Sequence, residues 1–116
     1  MESLKKYITT EFAGMAFNDS TKSSRLILIT SAGVIIGDPA ISEETDSAIS
    51  SLVNVSKNIA NEYREKNSIP DSPLDGNDGF ICLKNVTIKS PHTTTNIPFL
   101  NVFFDQIIGI SLGNMD

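Results

Sequence analysis

The stretch from Arg25 to Gly37 constrains this chain more than any other. Arg25-Leu-Ile-Leu-Ile-Thr30 and Val34-Ile-Ile-Gly37 are two apolar, largely β-branched runs on either side of Ser31-Ala32-Gly33. Branched side chains fit a pleated strand, and a small glycine-containing link joins antiparallel partners, so the segment predicts a β-hairpin. The first run is apolar on both faces. A strand of that kind needs cover on both sides, from other elements of its own fold or from another subunit. Asp38-Pro39 predicts the end of pairing, because proline donates nothing to a ladder.

The flanking segments predict an α+β chain in the order α-β-β-α-β-β-β. Over the first sixteen residues, Leu4, Tyr7, Ile8, Phe12 and Met15 recur at helical spacing and predict one inward face, with Gly14 and Asn18-Asp19-Ser20 ending the helix. Asn18–Ser24 reads as a polar loop. A second helix is expected from Ser42 to about Asn67. Glu43, Glu44 and Asp46 stand in its first turn and Arg64 and Lys66 near its end, as the helix dipole favours. Its stripe is Ile49, Leu52, Val53, Ile59, Ala60 and Tyr63, interrupted by Ser56. Residues 67–79 hold two prolines and two glycines and read as a loop. Three strands follow, Phe80–Lys89, Ile97–Phe104 and Ile107–Leu112. Pro91–Asn96 and the pair Asp105-Gln106 separate them. In the last strand Ile108, Ile110 and Leu112 are expected on one face.

One domain of residues 1–116 is expected, in three parts: helix and hairpin (1–37), an acidic helical insertion and loop (38–79), and three strands (80–116). The chain carries 9 basic and 14 acidic residues, net −5. The excess sits in the middle part, while the two flanks are close to neutral. That balance speaks against a surface built to neutralise phosphate. The longest apolar run falls far short of the ~20 residues a bilayer span needs. The N-terminal residues form an amphipathic pattern and not a secretory apolar core. Lone Cys82 can form no internal disulfide. A cytoplasmic protein without a membrane segment is the expectation.

The sequence shows no set of catalytic groups. A nucleophile needs a base beside it, whereas His92 falls in a polar hairpin loop and Cys82 in an apolar strand. One histidine and one cysteine make no zinc set. Asp71, Asp75, Asn77 and Asp78 surround Gly76, but Pro73 and Cys82 occupy positions where an EF-hand needs ligands. Ala32-Gly33 leads into a strand and not a helix, so Gly33 and Gly37 form no phosphate cradle. The expectation is a non-catalytic protein with no metal and no cofactor.

The C-terminal third resembles the second half of an Sm-like small β-barrel. The residues that carry the resemblance are Phe80–Ile88, the polar hairpin, Ile97–Phe104, and Asp105-Gln106-Ile107-Ile108-Gly109-Ile110-Ser111. The first helix and the hairpin with Gly33 and Gly37 would supply that family's N-terminal helix and first two strands. The resemblance implies a strongly bent five-strand antiparallel sheet or barrel, here with a long helical insertion between strands 2 and 3. It implies subunits that join by strand edges into rings of six or seven, with RNA as ligand. Asn85, Asp105 and Gln106 match the family's ligand-facing positions. Phe103 and Phe104 stand where the family has Arg-Gly, so its basic RNA contact is missing. The element order is also similar to the roadblock, longin and profilin-like group, whose hairpin is matched by Leu28–Ile36. That resemblance implies a dimeric protein-interaction scaffold. The two imply different places for the second helix: an outer decoration in the first, a central packing helix in the second.

Overall fold

The computed structural model describes residues 1–19, 24–70 and 74–114. The loop expected at Asn18–Ser24 lies mostly outside them, as does Asp71. The elements are α1 (Leu4–Asn18), β1 (Arg25–Thr30), β2 (Gly33–Pro39), α2 (Ser47–Lys66), β3 (Phe80–Lys89), β4 (Thr94–Phe103), a single 3-10 turn (Phe104–Gln106) and β5 (Ile107–Gly113). All five strands join one antiparallel sheet in the order β4-β3-β2-β1-β5. The sheet is open, with β4 and β5 as its two edges.

The hairpin forms as the sequence predicts, closed by a two-residue turn in which the Thr30 hydroxyl donates to the Gly33 carbonyl at 3.0 Å. Pairing then continues through Asp38 and Pro39 to partners Lys84 and Leu83, beyond the expected stop. A proline at the very end of a strand costs the ladder little. Leu26 and Leu28 are wholly buried on one face, while Ile27 and its cross-strand partner Ile36 are buried on the other.

A bend between β2 and β3 shapes the core. Their register slips between Ile36 and Asp38, leaving an extra residue on β3. Asn85 takes it up with φ of +52°, in the left-handed region that asparagine tolerates better than most residues. The slip brings Leu83 and Val86, three positions apart and so on opposite faces of a regular strand, to the same concave side. They close over Gly37, where a Cβ would meet Leu83 Cβ at 3.2 Å and Val86 Cγ2 at 3.3 Å. Arg25 pins the bend from outside. Its Nε donates to Asp38 Oδ1 at 3.1 Å and its Nη2 to the Asn85 carbonyl at 2.5 Å. The concave core then gathers Leu26, Leu28, Ile35, Leu83, Val86, Val102, Phe104 and Ile107. Each large side chain among them contributes about 1.5–3 kcal/mol through burial.

A second bulge corrects the reading of β5. The register slips again between Ile29 and Thr30, where Thr30 pairs with Ile107 but Ile29 with Gly109. Ile107 takes the core position, and Ile108 is turned out to 72% exposure instead of sharing a face with Ile110 and Leu112.

Both helices also depart from expectation in the faces they present. The buried face of α1 is Lys6, Thr9, Ala13 and Ala16, while Leu4, Tyr7 and Met15 are exposed and Ile8 and Phe12 sit at its flank. Two alanines let α1 lie close against the sheet, and Lys6 is held by hydrogen bonds, so shape and polar pairing outweigh the larger apolar residues. The helix also runs through Gly14 to Asn18. For α2 the cap is Asp46 and not Ser42: Asp46 Oδ1 accepts from the amides of Ala48 at 2.9 Å and Ile49 at 3.3 Å. Residues 42–46 therefore precede the helix. Glu44 turns back to accept from the Ile41 amide and pairs with Lys84 across the chain. β4 starts at Thr94, earlier than expected, so Pro98 falls inside it, which an edge strand allows.

Candidate binding groove

Cross-strand pairs of β3 and β4 alternate between the two faces. Ile81 with Val102 and Leu83 with Leu100 face the core, so Cys82 with Asn101 and Lys84 with Phe99 face away from it. The second helix lies on this outer face. Asn101 Nδ2 donates to Ser56 Oγ of α2 at 2.9 Å, Lys84 pairs with Glu44, and Ile49 and Val53 are buried beneath the helix. The rest of the stripe expected to pack is uncovered: Leu52, Ile59 and Tyr63 are exposed, as is Val55.

A groove of about 490 Å³ runs between α2 and the ends of β3 and β4. Ile59, Ala60 and Tyr63 form one wall and Leu74, Phe80 and Phe103 the other, with Ser56, Asn101 and Asp78 as polar lining. Phe80 and Phe103 pack edge to face at 5.8 Å between ring centroids. Its volume and mostly apolar lining are those of ordinary ligand and side-chain pockets. Asn101 Oδ1 is buried without a hydrogen-bond partner, a cost of about 1–3 kcal/mol that the fold carries at the groove wall. Sequence reasoning missed this site, though it left a signal. Ser56 breaks the apolar stripe of α2, Asn101 breaks the apolar run of β4, and the two breaks bond to each other.

The residues matched to ligand positions fall into two separate places. Asn85 sits at the bend, its carbonyl taken by Arg25 at the start of β1, and lines an open cleft of about 400 Å³ with Val86, Thr87, Asn96, Ile97 and Pro98. Asp105 and Gln106 are exposed in the 3-10 turn, and Gln106 Nε2 donates to Asp105 Oδ1 at 3.4 Å. That turn leads into Ile107, which pairs with Thr30 at the far end of β1. The two places are therefore separated by the length of β1, about 17 Å at strand rise.

The loop after α2 already holds a cation, supplied by the chain. Lys6 Nζ, on a side chain 5% exposed overall, donates to the carbonyls of Leu74 and Asp78 at 2.5 Å each and lies 5.6 Å from the Phe104 ring centre. The N-terminal ammonium pairs with Asp75, holding that carboxyl below the ordinary aspartate range, and Ser3 Oγ bonds to Asn77. The acidic loop is thus tied to the N-terminal segment. No cluster of metal-ligating side chains occurs among the described residues.

Burial pushes the Cys82 thiol up, and the nearby Lys57 charge offsets this only in part. His92 lies beyond the far end of β3, about 23 Å along the strand from Cys82, so the two do not form a pair. Among the described residues no helix is long and apolar enough to cross a membrane.

No family model, curated protein or solved structure matches the chain. The site stands on its geometry.

Proposed function

We propose that this chain is a non-catalytic, Sm-like binding protein that assembles through its strand edges. The observation that carries this reading is the open sheet: β4 and β5 each have one side unpaired, at opposite ends of the strand order. Unpaired edges are templates for another chain. Pro98 has no amide to offer, so an incoming strand is confined to the later half of β4, residues 99–103. The place of α2 supports the same reading, because it is an insertion between β2 and β3 that packs mainly against the edge strand β4. Asp105 and Gln106, exposed beside the β4–β5 junction, are the ligand-facing residues on this reading, and Asn85 serves the bend.

Size-exclusion chromatography with light scattering tests it. A mass of several protomers is expected, and Ile108→Lys, a charge on the exposed bulge of β5, should lower that mass while leaving the monomer folded. A wild-type monomer at micromolar concentration would overturn the proposal. RNA binding is read in the same preparation by titration across salt. Phosphate contacts give affinity that falls steeply as salt rises, and Asp105→Ala and Gln106→Ala should then alter it.

A further inference from the structure

A second interface is built into the outer face. Leu52, Val55, Ile59 and Tyr63 recur at i, i+3, i+7 and i+11 on α2, between 45% and 61% exposed, and Phe103 across the groove is 56% exposed. A helix buries such a stripe when it has a partner. We propose that the partner is a second copy of this chain, docked by α2 against α2 in antiparallel orientation about a two-fold axis.

Area and charge both favour that occupant. The five side chains leave about 500 Å² uncovered per copy, so a two-fold pair removes on the order of 1,000 Å², the lower bound of a specific interface. The stripe spans about 17 Å at helical rise, which places Leu52 of one copy opposite Tyr63 of the other, with Val55 and Ile59 around the axis. Asp46 caps the start of the helix, and its last turn carries Arg64, Glu65 and Lys66, a net positive end. Antiparallel docking sets Lys66 within a turn of Asp46 of the second copy and opposes the two helix dipoles. A parallel pair would set Asp46 beside its own copy and align the two dipoles. The contact lies on the outer face and leaves the strand edges free, so it doubles whatever assembly those edges make.

The mass of two variants separates the interfaces. Ile59→Glu, at a position 61% exposed and therefore harmless to the core, should halve the native mass. Ile108→Lys should leave a dimer held by α2. If wild type is a dimer and Ile59→Glu a monomer, the helix contact stands although strand-edge assembly fails. In a Cys82→Ser background, Ile59→Cys should cross-link two chains under a short bismaleimide, and Asn58→Cys, off the stripe, should not. Unchanged mass for Ile59→Glu, or equal cross-linking at both positions, overturns the proposal. So would an apolar dye that binds the assembled wild type but not assembled Ile59→Glu, since the stripe would then be open to another occupant.

Discussion

The same substitution should have opposite signs at two glycines. At Gly37 an added methyl meets Leu83 Cβ at 3.2 Å, Leu83 Cδ1 at 3.3 Å and Val86 Cγ2 at 3.3 Å. Two of these atoms are fixed by the bend, so the neighbours can give way only by opening it. Overpacking of this kind costs about 1–3 kcal/mol, against which the lower chain entropy of alanine returns about 0.5–1 kcal/mol. Gly37→Ala should therefore destabilise by about 1–2 kcal/mol, and Gly37→Val by more. At Gly14, inside α1, nothing lies within 4 Å of the added methyl. Only the propensity term remains, so Gly14→Ala should stabilise by about 0.5–1 kcal/mol. Urea unfolding of both variants with a common slope reads the difference directly. Equal effects at the two positions, or a stabilised Gly37→Ala, would refute the bend as the organiser of the core.

Lys6→Met should cost about 2–4 kcal/mol by urea unfolding, because it leaves the Leu74 and Asp78 carbonyls without their donor; a neutral result would mean water replaces the ammonium. Asp46→Ala should cost about 1 kcal/mol and Ser42→Ala almost none of the helical signal in circular dichroism, the reverse being expected if the helix began at Ser42. The raised thiol of Cys82 should react with a disulfide reagent more slowly than free cysteine at neutral pH and accelerate only at higher pH. In acid, Asp75 should titrate below the ordinary aspartate range by NMR, since its depressed value keeps the pair with the N-terminal ammonium until pH falls through it; an ordinary midpoint would remove that contact.

The bounds of β1 and β3 were legible to the residue, and the hairpin in its place though not in its far end, because branched runs and a small turn are local signals. The α-β-β-α-β-β-β order followed from the same cues. The faces of the helices were not legible. In α1 Leu4, Tyr7 and Met15 of the apolar stripe point outward because Ala13 and Ala16 fit a close approach and Lys6 answers carbonyls 68 and 72 residues away in sequence, contacts that no helical period contains. In α2 a stripe that looked like core is half uncovered, since periodicity reports that a face is apolar and not what meets it. Both bulges escaped prediction because a period of two assumes unbroken register, and one extra residue at Asn85 or Ile108 reverses everything beyond it. Asn85 was singled out as a ligand position, and its visible role is to let the strand turn.

The place of β5 has a bearing on partial synthesis and cleavage. Leu28 pairs with Ile110, 82 residues later, so the last ladder closes the longest loop in the sheet. The hairpin β1–β2 and the pair β3–β4 are available sooner. Until β5 arrives, β1 is itself an edge, and between Arg25 and Thr30 it is wholly apolar, with no proline or lysine to deter a neighbour. A nascent or nicked chain lacking β5 would therefore present Leu-Ile-Leu-Ile as a bare template, and ribosome-bound or truncated forms should be captured by chaperones or by one another. The final seven-residue strand acts as a guard for the whole sheet.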